Sequence, residues 1–136
     1  MPALFDMTVY FGFSKKRLKH MENVAMFAAD YMGIDAYMSA LNVAQVDGLP
    51  DNHQGLCLAN GTILLQKQTI KKQTSAFFHE LVHYAQFCEG RLTDNFFIDA
   101  DHKGVTFYPY LKASNAPHEV EANLYEESLL ISWERK

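Results

Sequence analysis

A long helical stretch over residues 69–89 constrains the fold of this chain more than any other segment. It contains neither Gly nor Pro, and Phe77, Phe78 and Leu81 place apolar side chains on several of its faces. A helix that is apolar around most of its circumference is buried in the centre of a domain. The stretch therefore predicts a central helix that begins near Thr74 or Ser75 and ends before Gly90, a favourable residue for helix termination.

The same stretch contains the motif His-Glu-x-x-His, formed by His79, Glu80 and His83. Residues four apart lie on one face of a helix, so the two imidazoles project side by side. Such a pair can hold one Zn²⁺ at about 2.0–2.1 Å per nitrogen. Glu80 adjoins the first histidine, where its carboxylate can reach a water at the metal. The alternative is two polar surface histidines, which a buried helix disfavours because buried imidazoles require hydrogen-bond partners.

Composition and charge exclude several other classes of protein. The chain has 136 residues, which predicts a single domain over 1–136, and 49% of them are apolar, which excludes a disordered chain. The net charge of −4 predicts no nucleic-acid partner, and we interpret the basic cluster over residues 15–19 as a solvated helix face. Cys57 and Cys88 form no Cys-x-x-Cys pair, so free thiols in a reducing compartment are expected, although a disulfide between them stays open.

No apolar run approaches 18 residues, so no membrane span is expected. The segment Met1–Asp6 has neither a basic region nor a long apolar one, so we expect no secretory signal there. Both observations predict a cytoplasmic protein. His20 and His53 lack any motif context, and we predict that both are surface residues.

The remaining elements predict an α+β fold with a small mixed or antiparallel sheet. Strands are expected over 7–13 and 37–46, as a hairpin of 54–59 and 62–68 around Asn60-Gly61, and as a strand-turn-strand unit over 96–99 and 105–108. An N-terminal helix is expected from the N-cap Ser14 to Met32, with Gly33 as its stop. A C-terminal helix is expected from Ala116 or Pro117 to about Trp133.

A catalytic zinc requires three protein ligands and one open position, so two histidines are not enough. Metal-ligating side chains downstream of the motif supply the third. The candidates are Glu119, Glu121, His102, Asp99, Asp101 and His118.

The segment from Glu119 to Leu130 narrows this choice through a resemblance. The pattern Glu119-Val120-Glu121-Ala122-Asn123 on a helix downstream of His-Glu-x-x-His resembles the gluzincin class of zinc metallopeptidases. It is similar to small ImmA/IrrE-like and phage-encoded members, mainly over residues 56–86 and 117–130. The resemblance implies a compact zincin-like domain in which Glu119 is the third ligand and Asn123 orients a ligand. The gap of 36 residues from His83 to Glu119 departs from the family through an inserted hairpin.

A competing resemblance involves residues 102–107. They are similar to the His-Gly-x-x-Phe segment of SprT-like metalloproteases, which would make His102 the third ligand, although Lys103 interrupts the pattern. The same residues also suit a surface turn. We favour Glu119 over His102.

These patterns lead us to expect a zinc-dependent metallopeptidase with one Zn²⁺ per chain and Glu80 as general base. Tyr110, or less favourably Tyr108, would stabilise the charged carbonyl oxygen, although both also suit an ordinary packed strand end. By resemblance, residues 62–68 form a rim strand that binds an extended peptide or protein substrate. For a phage-encoded enzyme the expected compartment is the host cytoplasm. The alternatives are a zinc-containing peptide-binding module, an inactive relative, or a structural component without metal.

Overall fold

The computed structural model describes residues 8–136, and its α+β architecture confirms the predicted class. The helices of this part of the chain are α1 (Lys15–Met32), α2 (Ile70–Cys88) and α3 (Pro117–Arg135). Its strands are β1 (Val9–Phe11), β2 (Asn42–Val46), β3 (Gly55–Leu58), β4 (Thr62–Gln66), β5 (Phe96–Ile98) and β6 (Val105–Phe107). The segment Met1–Asp6 and the predicted strand residue Met7 lie outside the described residues.

The four-stranded sheet is mixed, with the strand order β1-β2-β4-β3. β2 pairs in parallel with β1 on one side and with β4 on the other, whereas β3 pairs antiparallel with β4. The β3–β4 hairpin confirms the prediction around Asn60-Gly61, and Gly61 has the positive φ of 87° that glycine tolerates best. β4 has partners on both sides, so the prediction that residues 62–68 form the rim strand was wrong. That edge of the sheet belongs to β3.

Helix α2 packs against α1, α3, β3 and β4, which confirms its predicted central position. Phe77, Phe78 and Leu81 are fully buried in the main core. Buried Gln73 ties three elements together, because its Oε1 accepts a hydrogen bond from Arg17 at 2.7 Å while its Nε2 donates to Gln45 Oε1 at 2.8 Å. Apolar packing and this polar contact together fix α2 relative to α1 and β2.

Several predicted boundaries need correction. α2 begins a turn earlier than predicted, because the Thr69 hydroxyl caps it by accepting a hydrogen bond from the Lys72 amide at 3.4 Å. Of the predicted strand over 37–46, only β2 is extended; the preceding Asp35–Ala40 forms a 3₁₀ helix. His20 is not a simple surface residue, because its Nε2 lies 2.8 Å from the Thr74 hydroxyl.

The other predicted helix signals are confirmed. The Ser14 hydroxyl caps α1 by accepting a hydrogen bond from the Arg17 amide at 3.2 Å, and Gly33 ends that helix in the left-handed conformation. Pro117 opens α3 in its first turn.

Between α2 and α3, β5 and β6 form the predicted antiparallel hairpin. Leu92, Phe97 and Leu111 form a second small core beneath it. Cys57 and Cys88 are both free thiols. Within residues 8–136, no helix combines the length and apolar character that crossing a bilayer requires.

Candidate metal centre

The packing of α3 against α2 brings three predicted ligands to one point. His79 and His83 lie one turn apart on α2, with ring centroids 4.9 Å from each other. Glu119 lies in the first turn of α3 and directs Oε1 between them, 3.0 Å from His79 Nε2 and 2.6 Å from His83 Nε2. One possible ligand atom from each residue lies within 4.8 Å of the others, so all three can contact a single ion.

The hydrogen bonds of Gln86 determine which nitrogen of His83 is free. The Gln86 Nε2 group donates to the His118 carbonyl and to Glu121 Oε1, at 3.1 Å each. Its Oε1 is therefore the acceptor that lies 2.8 Å from His83 Nδ1. It follows that Nδ1 carries the proton in the neutral ring, which leaves a lone pair on Nε2 for a metal.

A carboxylate fixes His79 in the same way. Glu126 Oε1 lies 2.9 Å from His79 Nδ1, while its other oxygen accepts a hydrogen bond from the Ser75 hydroxyl at 2.7 Å. A carboxylate accepts from the Nδ1–H group, so the His79 Nε2 lone pair also points to the common centre. A carboxylate behind a ligating imidazole increases its basicity.

Three acceptors therefore converge, two imidazole lone pairs and one carboxylate, and the centre requires a positive charge. Burial alone would lower the pKa of His79, but hydrogen bonds to Glu119 and Glu126 outweigh it and raise the pKa to about 10. Burial likewise opposes ionisation of Glu119, yet the two histidines hold the pKa of that carboxyl well below its usual range. Two imidazoles, each oriented by a second residue and neutral once an ion displaces the proton between them and Glu119, form with that carboxylate a donor set that fits Zn²⁺.

Glu80 is buried beside this centre and takes no part in the ligand cluster. Burial raises the pKa of its carboxyl, and nearby His83 and His79 oppose that rise. Its carboxylate lies against the start of β3, where a Cβ on Gly55 would come within 2.9 Å of Glu80 Cγ. Gly55 therefore provides the space that Glu80 occupies.

Two cavities open on either side of the centre. One of about 500 Å³ is lined by polar residues including Lys72, Ser75 and Glu126. The other, of about 310 Å³, has the apolar residues Phe87 and Leu92 in its lining, together with Glu119 and part of β3.

The two tyrosines considered for catalysis take different positions. Tyr108 lines the smaller cavity, where the Lys112 ammonium lies 4.9 Å from the centroid of its ring. Tyr110 is 70% exposed and lines neither of the two cavities beside the centre. The geometry therefore offers no contact between Tyr110 and a reacting group.

The other candidate ligands lie away from the centre. Glu121 forms a hydrogen-bonded ion pair with Arg91, whose Nη2 lies 2.6 Å from Glu121 Oε1. His102 is exposed in the turn before β6, and it lines a separate cavity with Arg91 and Glu121. Asp99 and Asp101 belong to the same turn, where Asp101 accepts a hydrogen bond from the Lys103 amide at 3.0 Å.

His118 lies close to the centre without joining it. Its buried ring packs 5.5 Å from that of His83 and 5.9 Å from that of Phe97, measured between centroids. Its Nδ1 has no hydrogen-bond partner among residues 8–136. The ring packs between His83 and Phe97 and lines the smaller of the two cavities.

Asn123 does not have the position that the resemblance implied. It is exposed and forms no side-chain hydrogen bond within the described chain. The orienting positions belong instead to Glu126, two helical turns after Glu119, and to Gln86, three residues after His83. Both spacings are those of residues on one helix face, so periodicity places them on the side of the ligands but does not distinguish them from other residues of that face.

Comparisons with known proteins identify no relative of this chain. No protein-family model matches it, and neither a curated protein nor a solved structure does so. Function is therefore inferred from the chemistry of the centre.

Proposed function

We propose that this protein is a zinc-dependent metallopeptidase that hydrolyses peptide bonds. The observation that carries the proposal is the convergence of His79 Nε2, His83 Nε2 and Glu119 Oε1, with the buried carboxylate of Glu80 alongside. A structural ion-pair network requires no free carboxylate in that place, whereas hydrolysis requires a base beside the metal. One Zn²⁺ per chain is expected, held by these three ligands.

When bound, Zn²⁺ supplies Lewis-acid chemistry, since it lowers the pKa of a water towards ~7 and polarises a carbonyl group. Glu80 takes a proton from the attacking water as its oxygen forms a bond to the carbonyl carbon. Glu80 then returns that proton to the amide nitrogen as the carbon–nitrogen bond breaks. Burial supports this role, because it raises the pKa of the Glu80 carboxyl towards that of the groups with which it exchanges a proton.

The substrate in this proposal is an extended peptide that lies along β3. Gly55, Leu56 and Cys57 of that strand line the cavity beside the centre, and the edge of β3 opposite β4 has no partner strand in the described chain. An edge strand can bind a peptide through its free backbone groups. Two free thiols in the chain support the expected cytoplasmic compartment, the host cytoplasm for a phage-encoded enzyme.

Metal content tests the ligand set. Elemental analysis of protein purified without added metal should give about one zinc per chain in the wild type, and Glu119→Ala should lose it. Glu127→Ala is the matched control, because Glu127 is an exposed glutamate on the same helix. His102→Asn tests the SprT-like alternative and should retain zinc, since His102 lies in a separate cavity.

Peptide cleavage tests the reaction. A mixture of short synthetic peptides, analysed by mass spectrometry, should show cleavage by the wild type and none by Glu80→Gln with its zinc retained. Zinc binding with peptide bound but uncut would favour the peptide-binding module instead. Absence of zinc after reconstitution would contradict both.

A further inference from the structure

The two cavities beside the candidate metal centre meet at a small group of residues. Four residues line both of them: His53, Gly55, His79 and Glu80. Three of these already have a place in the proposed reaction: His79 is a ligand, Glu80 is the base, and Gly55 leaves room for Glu80. His53 is the fourth and has no role in the reaction as proposed so far, although its imidazole ring carries an N–H donor.

Backbone hydrogen bonds flank His53 on both sides. The preceding turn Pro50–Asn52 contains two consecutive non-glycine residues in the left-handed region, with φ of 56° at Asp51 and 58° at Asn52. Asp and Asn adopt this region more readily than other non-glycine residues, which suits them to a tight turn. Here the His53 amide donates to the Pro50 carbonyl at 3.2 Å, and the next carbonyl, of Gln54, accepts from the Gln66 amide at 3.0 Å. The residue that leads into β3 is therefore anchored on both sides.

The His53 ring is available for a ligand. The side chain is exposed, and neither ring nitrogen has a hydrogen-bond partner in residues 8–136. His53 and Glu80 both line the two cavities, so the ring lies near the proposed base. Tyr110, the residue first expected to contact the carbonyl oxygen, lines neither cavity.

We propose that His53 is a further catalytic residue, which donates a hydrogen bond from its ring N–H to the carbonyl oxygen of the scissile peptide bond. This inference depends on the proposed peptidase function. As the water oxygen bonds to the carbonyl carbon, the carbonyl oxygen gains negative charge and the hydrogen bond strengthens. His53 keeps its proton throughout; the proton that reaches the departing amine comes from the water through Glu80.

The test compares His53→Ala with His53→Gln, which retains an N–H donor. The substrate is the peptide of the synthetic mixture that the wild type cleaves fastest. For His53→Ala we expect kcat to fall by about 10²–10³-fold, the effect of losing one such donor, with a smaller change in KM. His53→Gln should recover part of that loss. His102→Asn is the matched control, an exposed histidine outside both cavities, and its kcat should equal that of the wild type.

A second readout does not depend on turnover. The phosphonamidate analogue of the same peptide carries a charged tetrahedral group in place of the scissile bond, so its Kd should rise at least tenfold in His53→Ala. Zinc content and the Kd of acetohydroxamate, a small metal chelator, should not change.

The outcomes separate the two proposals. If the wild type holds zinc and cleaves peptide, but His53→Ala matches it in kcat and in phosphonamidate affinity, only the role of His53 is wrong. If His53→Ala loses zinc together with activity, His53 has a structural role and the inference fails. If the wild type neither holds zinc nor cleaves any peptide, the proposed function fails, and the role of His53 fails with it.

Discussion

At the scale of single residues, the space beside Glu80 is the most sensitive feature of the centre. A Cβ at residue 55 would lie 2.9 Å from Glu80 Cγ and 3.3 Å from its Oε2. Gly55→Ala should therefore displace the Glu80 carboxylate without touching a metal ligand. Because a small misplacement of a catalytic group can cost about 10²-fold in rate, we expect a comparable loss of kcat at unchanged zinc content.

Gly48→Ala is the control for this change, since a Cβ at Gly48 meets no atom within 4 Å. It should leave both peptide cleavage and zinc content at wild-type levels. Wild-type kcat in Gly55→Ala would show that the position of Glu80 does not limit the reaction.

The carboxylate of Glu126 gives a second prediction at this scale. Glu126→Gln retains an acceptor for His79 Nδ1 but removes the negative charge that makes the imidazole a stronger ligand. We expect the Kd for zinc, measured by competition with a chromogenic chelator, to rise about 10–100-fold. Glu127→Gln, on an exposed position of α3, should not change it. Equal affinities in the two variants would mean that Glu126 contributes only to packing.

The sequence predicted the residues whose chemistry depends on local spacing. His79 and His83 follow from one helical turn, and Glu119 was favoured from a resemblance in a separate helix. Glu126 and His53 carried no comparable signal. Glu126 contacts His79 only because α3 packs against α2, and His53 lines the same cavities as Glu80 only because of the turn before β3. Contacts between elements distant in sequence are set by packing, which a motif does not describe.

At the scale of elements, the hairpin β3–β4 was predicted correctly but the roles of its strands were not. Two apolar runs around the Asn60-Gly61 turn predict two paired strands, yet they do not reveal which strand faces the rest of the sheet. The parallel pairing of β4 with β2, distant in sequence, decides this and leaves β3 at the edge. The helices were easier to predict because caps such as Ser14 and stops such as Gly33 are local.

The edge position of β3 predicts which backbone groups bind a peptide. The Gln66 amide donates to the Gln54 carbonyl at 3.0 Å, which makes these two residues a hydrogen-bonded pair. Hydrogen-bonded pairs alternate along antiparallel strands, so Leu56 points its backbone groups to β4, whereas Cys57 points its own to the free edge. A bound peptide would pair with the Cys57 amide.

Cys57→Pro removes that amide without removing a bond to β4. Because one hydrogen bond contributes about 0.5–1.5 kcal/mol, we expect KM for the best-cleaved peptide to rise roughly three- to tenfold. Cys57→Ala retains the amide and corrects for the loss of the thiol, so it is the matched control. The two variants should contain equal amounts of zinc, and equal KM values would place the peptide elsewhere than on the edge of β3.

At the scale of the whole molecule, the centre links stability to pH and to metal. In the metal-free chain the pKa of His79 is raised to about 10, and that of His83 is raised as well. Protonated histidines therefore stabilise the fold fully at pH values below 6.5, the pKa of histidine in the unfolded chain. This contribution is lost as the pH rises towards the pKa of these histidines in the folded chain. Zinc requires the neutral imidazoles, so it stabilises the fold most at the higher pH values, where protonation of the histidines contributes least.

We therefore expect the Tm of the metal-free protein to fall between pH 6.5 and about 8.5, while the increase in Tm on adding zinc grows over the same range. Over most of this window the titration of the centre dominates. His20 and His118, whose pKa values are lowered from 6.5 by burial, oppose the fall in Tm only near its lower end, and Cys57 and Tyr10, with ordinary pKa values of 9.0 and 10.0, titrate mainly above it. Circular dichroism melts with a chelator or with zinc would measure both effects. In Glu119→Ala the fall in Tm with pH and the increase in Tm with zinc should both become much smaller. This variant lacks the third ligand, which is also the shared partner of the two histidines. A metal-free Tm that rises across this window would contradict the raised pKa values and, with them, the electrostatic account of the centre.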